Sequence, residues 1–158
     1  MSQMKRTLGL ISLLLLAATA QASTDPFAGK WTLDVQRSSY PAGTCPTTMT
    51  IEMESVGRGV HYQSDSMFAN GRTVHTEYTA DYEGNQAIVM GTRGLMLPVF
   101  LKRIDSRTVV ASYTKDLVIV AVSRRVVSED GQTMTITTDS RDSSGKTVTS
   151  IAVFVRHE

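Results

Sequence analysis

The sequence predicts an all-β domain in which about ten antiparallel strands run up and down and close into a barrel. Three observations carry that reading. Apolar and polar residues alternate with period two from Trp31 to the C-terminus, and nothing in that stretch sustains a helical 3.6-residue period. Turn-forming glycines separate most of the alternating runs: Gly57-Arg58-Gly59, Asn70-Gly71, Glu83-Gly84, Asp130-Gly131 and Ser144-Gly145. The connections are short, so neighbours in sequence pair in the sheet, and closure removes exposed edges.

Ahead of the strands, residues 1–22 read as a signal peptide. Lys5 and Arg6 form a positive start, Leu8 to Ala18 is apolar apart from Gly9 and Ser12, and Ala20-Gln21-Ala22 has the small-x-small pattern of a cleavage site. The apolar run is shorter than the roughly 20 residues a spanning helix needs, and no later segment is longer. The expectation is an exported, periplasmic or secreted product without a transmembrane segment, with residues 23–158 forming one domain. Loss of Lys5 and Arg6 takes Lys+Arg from 16 to 14 against 15 acidic residues, a net charge of about −1. That balance argues against nucleic acid as a partner. Cys45 is the single cysteine, so an internal disulfide is excluded, and a bridge to another chain is the one covalent pairing open to it.

The strands are expected at 29–36, 47–56, 59–68, 72–80, 86–90, 96–104, 107–115, 117–127, 132–139 and 147–156, with no lid helices evident. Runs 117–127 and 147–155 are apolar on both faces, which predicts cover on both sides. A three-residue loop at Ala69-Asn70-Gly71 pairs Phe68 with Arg72. It places Val60, Tyr62, Val74 and Tyr78 on one face and His61, Asp65, His75 and Glu77 on the other. A three-residue loop at Glu129-Asp130-Gly131 puts Val122, Arg124 and Val126 on the face of Met134 and Ile136. A third such loop, at Asp105-Ser106-Arg107, turns Arg103 inward beside Val99 and Leu101.

Phe27-Ala28-Gly29-Lys30-Trp31, at the start of the first strand, resembles the F-x-G-x-W signature that opens lipocalins and related calycin barrels. The resemblance implies that Gly29 lets the chain bend and that Trp31 plugs the closed end. It also implies that Arg156, near the chain's end, packs across the tryptophan. More widely, Leu101-Lys102-Arg103-Ile104-Asp105 and the segment from Val126 to Thr135 resemble lipocalin-like small secreted bacterial proteins of unassigned function. Lipocalins proper have eight strands and a C-terminal helix, whereas about ten strands bring this chain nearer the fatty-acid-binding-protein branch, without that branch's helical lid.

For catalysis by Ser, His and Asp, a base must lie within hydrogen-bond reach of a nucleophile. The chain offers only His61, His75 and His157, and no G-x-S-x-G turn. No catalytic residue, metal site or cofactor is assigned, and an enzyme, a lyase or isomerase, is the least favoured reading. Arg103 and Arg124 are the ligand candidates, because a cation in a low-dielectric lumen calls for a carboxylate or phosphate. Tyr62, Tyr78 and Tyr113 share their surface. The sequence thus points to an exported carrier of a small hydrophobic or amphiphilic ligand. The alternative is a filled barrel that serves as a non-enzymatic interaction module in the cell envelope.

Overall fold

The computed structural model describes residues 25–92 and 94–157. The expected signal segment, 1–22, lies outside the described residues. The described chain is all-β. Its strands are β1 (Gly29–Leu33), β2 (Thr48–Val56), β3 (Gly59–Met67), β4 (Thr73–Asp81), β5 (Glu83–Ala87), β6 (Met90–Gly91), β7 (Gly94–Leu95), β8 (Val99–Asp105), β9 (Thr108–Lys115), β10 (Val118–Val127), β11 (Thr133–Arg141) and β12 (Thr147–His157). One 3-10 turn, Val35–Arg37, follows β1. No helix among the described residues is long and apolar enough to cross a membrane.

All pairings are antiparallel, in the order β5-β8-β9-β10-β11-β12-β1-β2-β3-β4-β6-β7. The short first strand sits mid-sheet, where Trp31 pairs with Arg156 of β12 on one side and Ile51 of β2 on the other. The sheet curls until its halves face each other, so that Arg125 of β10 lies over the Tyr62 ring of β3. The strand count is twelve rather than about ten because the stretch between Ala87 and Val99 adds two two-residue strands to the sheet. It forms a small β6–β7 hairpin on the edge of β4, where Gly91 passes so close to the His75 carbonyl that a Cβ would lie 2.6 Å from it.

The first hairpin has the expected register: Met67 pairs with Thr73, and the Phe68 N–H donates to the Arg72 carbonyl across a three-residue loop. The second does not. Val127, not Val126, pairs with Met134, because the β10–β11 loop holds four residues between Ser128 and Thr133. Asp130 ties that loop together, accepting from the Ser128 hydroxyl at 2.6 Å and the Gln132 N–H at 3.0 Å. A one-residue change of register exchanges the two faces of a strand. Ser123, Arg125 and Val127 therefore face inward, and Val122 and Arg124 face out. Nor is β10 covered on its outer side: Val122 is 36% exposed, as Ile151 and Val155 of β12 are 40% and 38%. At β8–β9 the turn holds two residues, and a bulge between Arg103 and Asp105 keeps Arg103 on the inward side.

One end of the barrel is closed by residues 25–28. Trp31 is fully buried, donates from Nε1 to the Phe27 carbonyl at 2.9 Å, and lies under the Arg156 guanidinium at 4.2 Å. Arg156 also donates to the carbonyls of Pro26 (2.7 Å), Ala28 (2.6 Å) and Gly131 (2.7 Å), joining the plug to the β10–β11 loop. Gly29 is required twice over. Its φ is +124°, and a Cβ there would sit 2.5 Å from Arg156 Nη1.

Candidate functional site

The lumen has two halves. Toward the closed end, side chains fill it: Trp31, Ile51, Leu101, Val109, Met134 and Phe154 are each at most 1% exposed. Toward the open end the inward positions become small or polar, with Ser64 and Ser66 on β3, Ser123 on β10 and Thr138 on β11. They leave a cavity of about 260 Å³. Its roof is the connection from β1 to β2. That segment first runs beside β12, where Ser39 and Ile151 exchange backbone hydrogen bonds of 2.7 Å. It then carries Tyr40, Thr44 and Pro46 over the mouth. Cys45 in this roof is a free, half-buried thiol, 3.4 Å from the Pro46 carbonyl.

Arg125 stands at the boundary between the halves, on the cavity wall and only 3% exposed. Among the described residues no carboxylate pairs with it. Its Nη2 donates to the Tyr113 hydroxyl at 3.2 Å, and its guanidinium lies 4.9 Å from the centre of the Tyr62 ring. Its Nε makes no hydrogen bond, and the buried Tyr78 hydroxyl, which makes none of ordinary geometry, sits beside the guanidinium and supports its charge. Tyr62 and Tyr78 stack at 4.7 Å and 11°. Burial pushes both phenols upward, Tyr78 furthest, against the opposing pull of Arg125. Both are therefore neutral at physiological pH. For Arg125 itself, burial disfavours the cation, but the phenols of Tyr78, Tyr113 and Tyr62 outweigh it and hold the guanidinium above its ordinary value. In the roof, burial, with Cys45 and Tyr62 adding to it, moves Tyr40 up to about 12. The result is a fixed positive charge in a wall of neutral hydroxyls.

Of the sequence candidates, Tyr62, Tyr78 and Tyr113 come together around this cation. Arg103 and Arg124 do not. Arg103 faces inward but belongs to the floor, where it donates to Asp25 Oδ2 at 2.8 Å and lies 4.0 Å over the Tyr82 ring. Tyr82 donates to the same oxygen at 2.9 Å, and burial, then Asp25, raises its phenol. Arg124 is exposed on the outer face, opposite Thr137. Sequence reading missed Arg125 and the roof residue Tyr40. The available signal was the serine of Val-Ser-Arg-Arg-Val: with Ser123 taken as a lumen residue, the second arginine follows it inward.

The histidines lie outside the barrel. His75 Nδ1 is 2.8 Å from Asp65 Oδ1, and this bond, more than partial burial opposes it, raises the imidazole above its usual value. His61 Nδ1 meets the Thr79 hydroxyl at 2.9 Å. Among the described residues no cluster of three or more His, Cys, Asp or Glu side chains is placed to hold a metal ion.

The sequence matches no protein-family model, and no curated protein matches it significantly. Among solved structures it is similar to zebrafish ileal bile acid-binding protein complexed with cholic acid. That likeness has a TM-score of 0.56 at 11% identity and covers 84% of this chain and 99% of that one. At such low identity it speaks to architecture alone, and with the strand order above it gives the chain a calycin-like fold.

Proposed function

We propose that the protein is a small-molecule carrier that binds a compact amphiphilic anion in its lumen, with a carboxylate or phosphate head on Arg125. The observation that carries this reading is the buried, unpaired guanidinium on the cavity wall. A charge taken out of water without a counter-charge costs several kcal/mol, and buried polar atoms are nearly always partnered. Arg125 Nε is unpartnered, on a wall that also presents Tyr113 and Ser123. An anionic head is the group that would satisfy the guanidinium and these hydroxyls together. Met49, Phe68, Ile136 and Phe154 offer apolar surface for the remainder of the ligand. The volume lies below the roughly 300–1,000 Å³ of most ligand sites, which favours a short tail. The bile acid-binding neighbour lends support by fold analogy only.

Calorimetric titration of octanoate and octanol tests this. Octanoate should bind the wild type, and Arg125→Gln should weaken it about tenfold to a hundredfold, the loss of one charge-assisted hydrogen bond or more. Octanol should scarcely change. Equal losses for both probes, or no binding of octanoate, octyl phosphate or cholate by the wild type, would exclude the carrier reading in favour of a filled interaction module.

We further propose that the protein acts after export, from the Lys5-Arg6 start, the apolar run and Ala20-Gln21-Ala22. Intact mass of the protein from the envelope or culture medium should correspond to a chain beginning at Ser23. Recovery there with Met1 retained would defeat it.

A further inference from the structure

The open end of the barrel is unusually apolar for a surface. At the β9–β10 tip, Lys115 pairs with Val118 across a two-residue turn, Asp116-Leu117, in which both φ values are positive (50° and 65°). Glycine or asparagine is the unstrained choice in such a turn, and a bulky residue at positive φ is an outlier. Yet the position holds a leucine that is 97% exposed, followed by Val118 at 63% and Ile119 at 55%. On the same end, the β6–β7 hairpin presents Leu95 at 73% and Leu97 at 40%. Leu95, Met96 and Leu97 line a groove of about 680 Å³ with Val74 and Arg72. The Arg72 guanidinium lies 4.1 Å over the ring of Phe68, which also lines the lumen cavity. Apolar rim and cavity mouth are thus continuous.

Among the described residues the charges are sorted between the ends of the barrel. Open-end turns carry five cations, Arg37, Arg72, Lys115, Arg141 and Lys146, against three acids, Asp34, Asp116 and Asp142. Closed-end turns and the floor carry six acids, Asp25, Asp81, Glu83, Asp105, Glu129 and Asp130, against four arginines, Arg58, Arg103, Arg107 and Arg156. Such a molecule turns its open end toward a negative surface.

We propose that the open rim docks on an anionic lipid bilayer, with Leu117 and Leu95 entering the headgroup–acyl boundary and Lys115, Arg72 and Arg141 resting on the headgroups. Apolar tips flanked by cations suit a soft interface of that kind, where buried apolar area and electrostatic attraction add. Contiguous exposed apolar surface marks an interaction site, and the strained Leu117 turn, kept where an unstrained residue would serve the fold better, points to a use for that side chain. This reading does not depend on the lumen ligand, and either can fail without the other.

The test is vesicle co-sedimentation of the wild type and Leu117→Gly, with thermal melts of both. Wild type should bind phosphatidylcholine–phosphatidylglycerol vesicles in low salt, bind pure phosphatidylcholine weakly, and come off as salt rises to about 0.5 M. Leu117→Gly creates Asp-Gly, a preferred two-residue turn. Its melting temperature should hold or rise while its vesicle affinity falls about tenfold, as removal of one largely buried leucine requires. Failure of the wild type to bind the anionic vesicles, equal binding to both compositions, or wild-type affinity in Leu117→Gly would each overturn the proposal.

Discussion

Replacing Trp31 with alanine should lower the unfolding free energy by about 3–5 kcal/mol, the range for truncating a buried aromatic. The loss has three parts. The ring is fully buried, so a cavity opens in the floor; the Phe27 carbonyl loses the indole N–H; and Arg156 loses the face it lies on. Arg156 keeps its three carbonyls, so the 25–28 plug stays attached but rests on an empty space. Against a typical total of 5–15 kcal/mol, the change should be plain in urea denaturation at room temperature. A loss below about 1 kcal/mol would mean that the barrel is not closed by this tryptophan.

Arg125→Met should give a protein no less stable than the wild type when both are ligand-free, and up to about 2 kcal/mol more stable. Magnitudes decide the sign. Burying the guanidinium costs several kcal/mol. In return it has a hydrogen bond to Tyr113, worth about 1.5–3 kcal/mol for a charged donor, the neighbouring Tyr78 hydroxyl, and a cation–π contact with Tyr62 of about 2 kcal/mol. Methionine fills similar space without the desolvation cost. Adding ligand should reverse the order. A ligand at about a hundred times its Kd stabilises its binding protein by about 2.7 kcal/mol, and the variant should gain almost none of it. Melts with and without octanoate read both effects at once. If Arg125→Met alone lost 3–5 kcal/mol, Arg125 would be a structural keystone, and its bare Nε would carry no functional meaning.

How far the sequence reached is clearest in two hairpins that look alike on paper. Both have a glycine just before the returning strand, and both glycines adopt positive φ, +78° at Gly71 and +71° at Gly131. In β3–β4 the alternation is clean, with Tyr62 and Tyr78 against His61 and Thr79, so only one loop length keeps apolar with apolar. In β10 valines lie on both faces, and either loop length yields an acceptable pattern. There the loop is the longer one, with a Ser128–Asp130 hydrogen bond inside it, and that single residue exchanges Arg124 for Arg125 in the lumen. Arg103 lies in the floor rather than on the cavity wall for another reason. Its inward direction was legible, but its partner, Asp25, lies 78 residues away in the plug.

By itself, then, the sequence determined the all-β class, most strand positions, the first hairpin's register and the closure by Gly29, Trp31 and Arg156. Period-two alternation, turn glycines and the Phe27–Trp31 segment are local signals, and they act within a few residues of where they are read. Tertiary structure alone decided which arginine meets the cavity, that the β1–β2 connection roofs it, and that the apolar tips of separate hairpins share one rim. Those outcomes depend on closing a sheet whose facing strands are far apart in sequence, and alternation within a strand whose two faces are both apolar holds no information about which face turns inward.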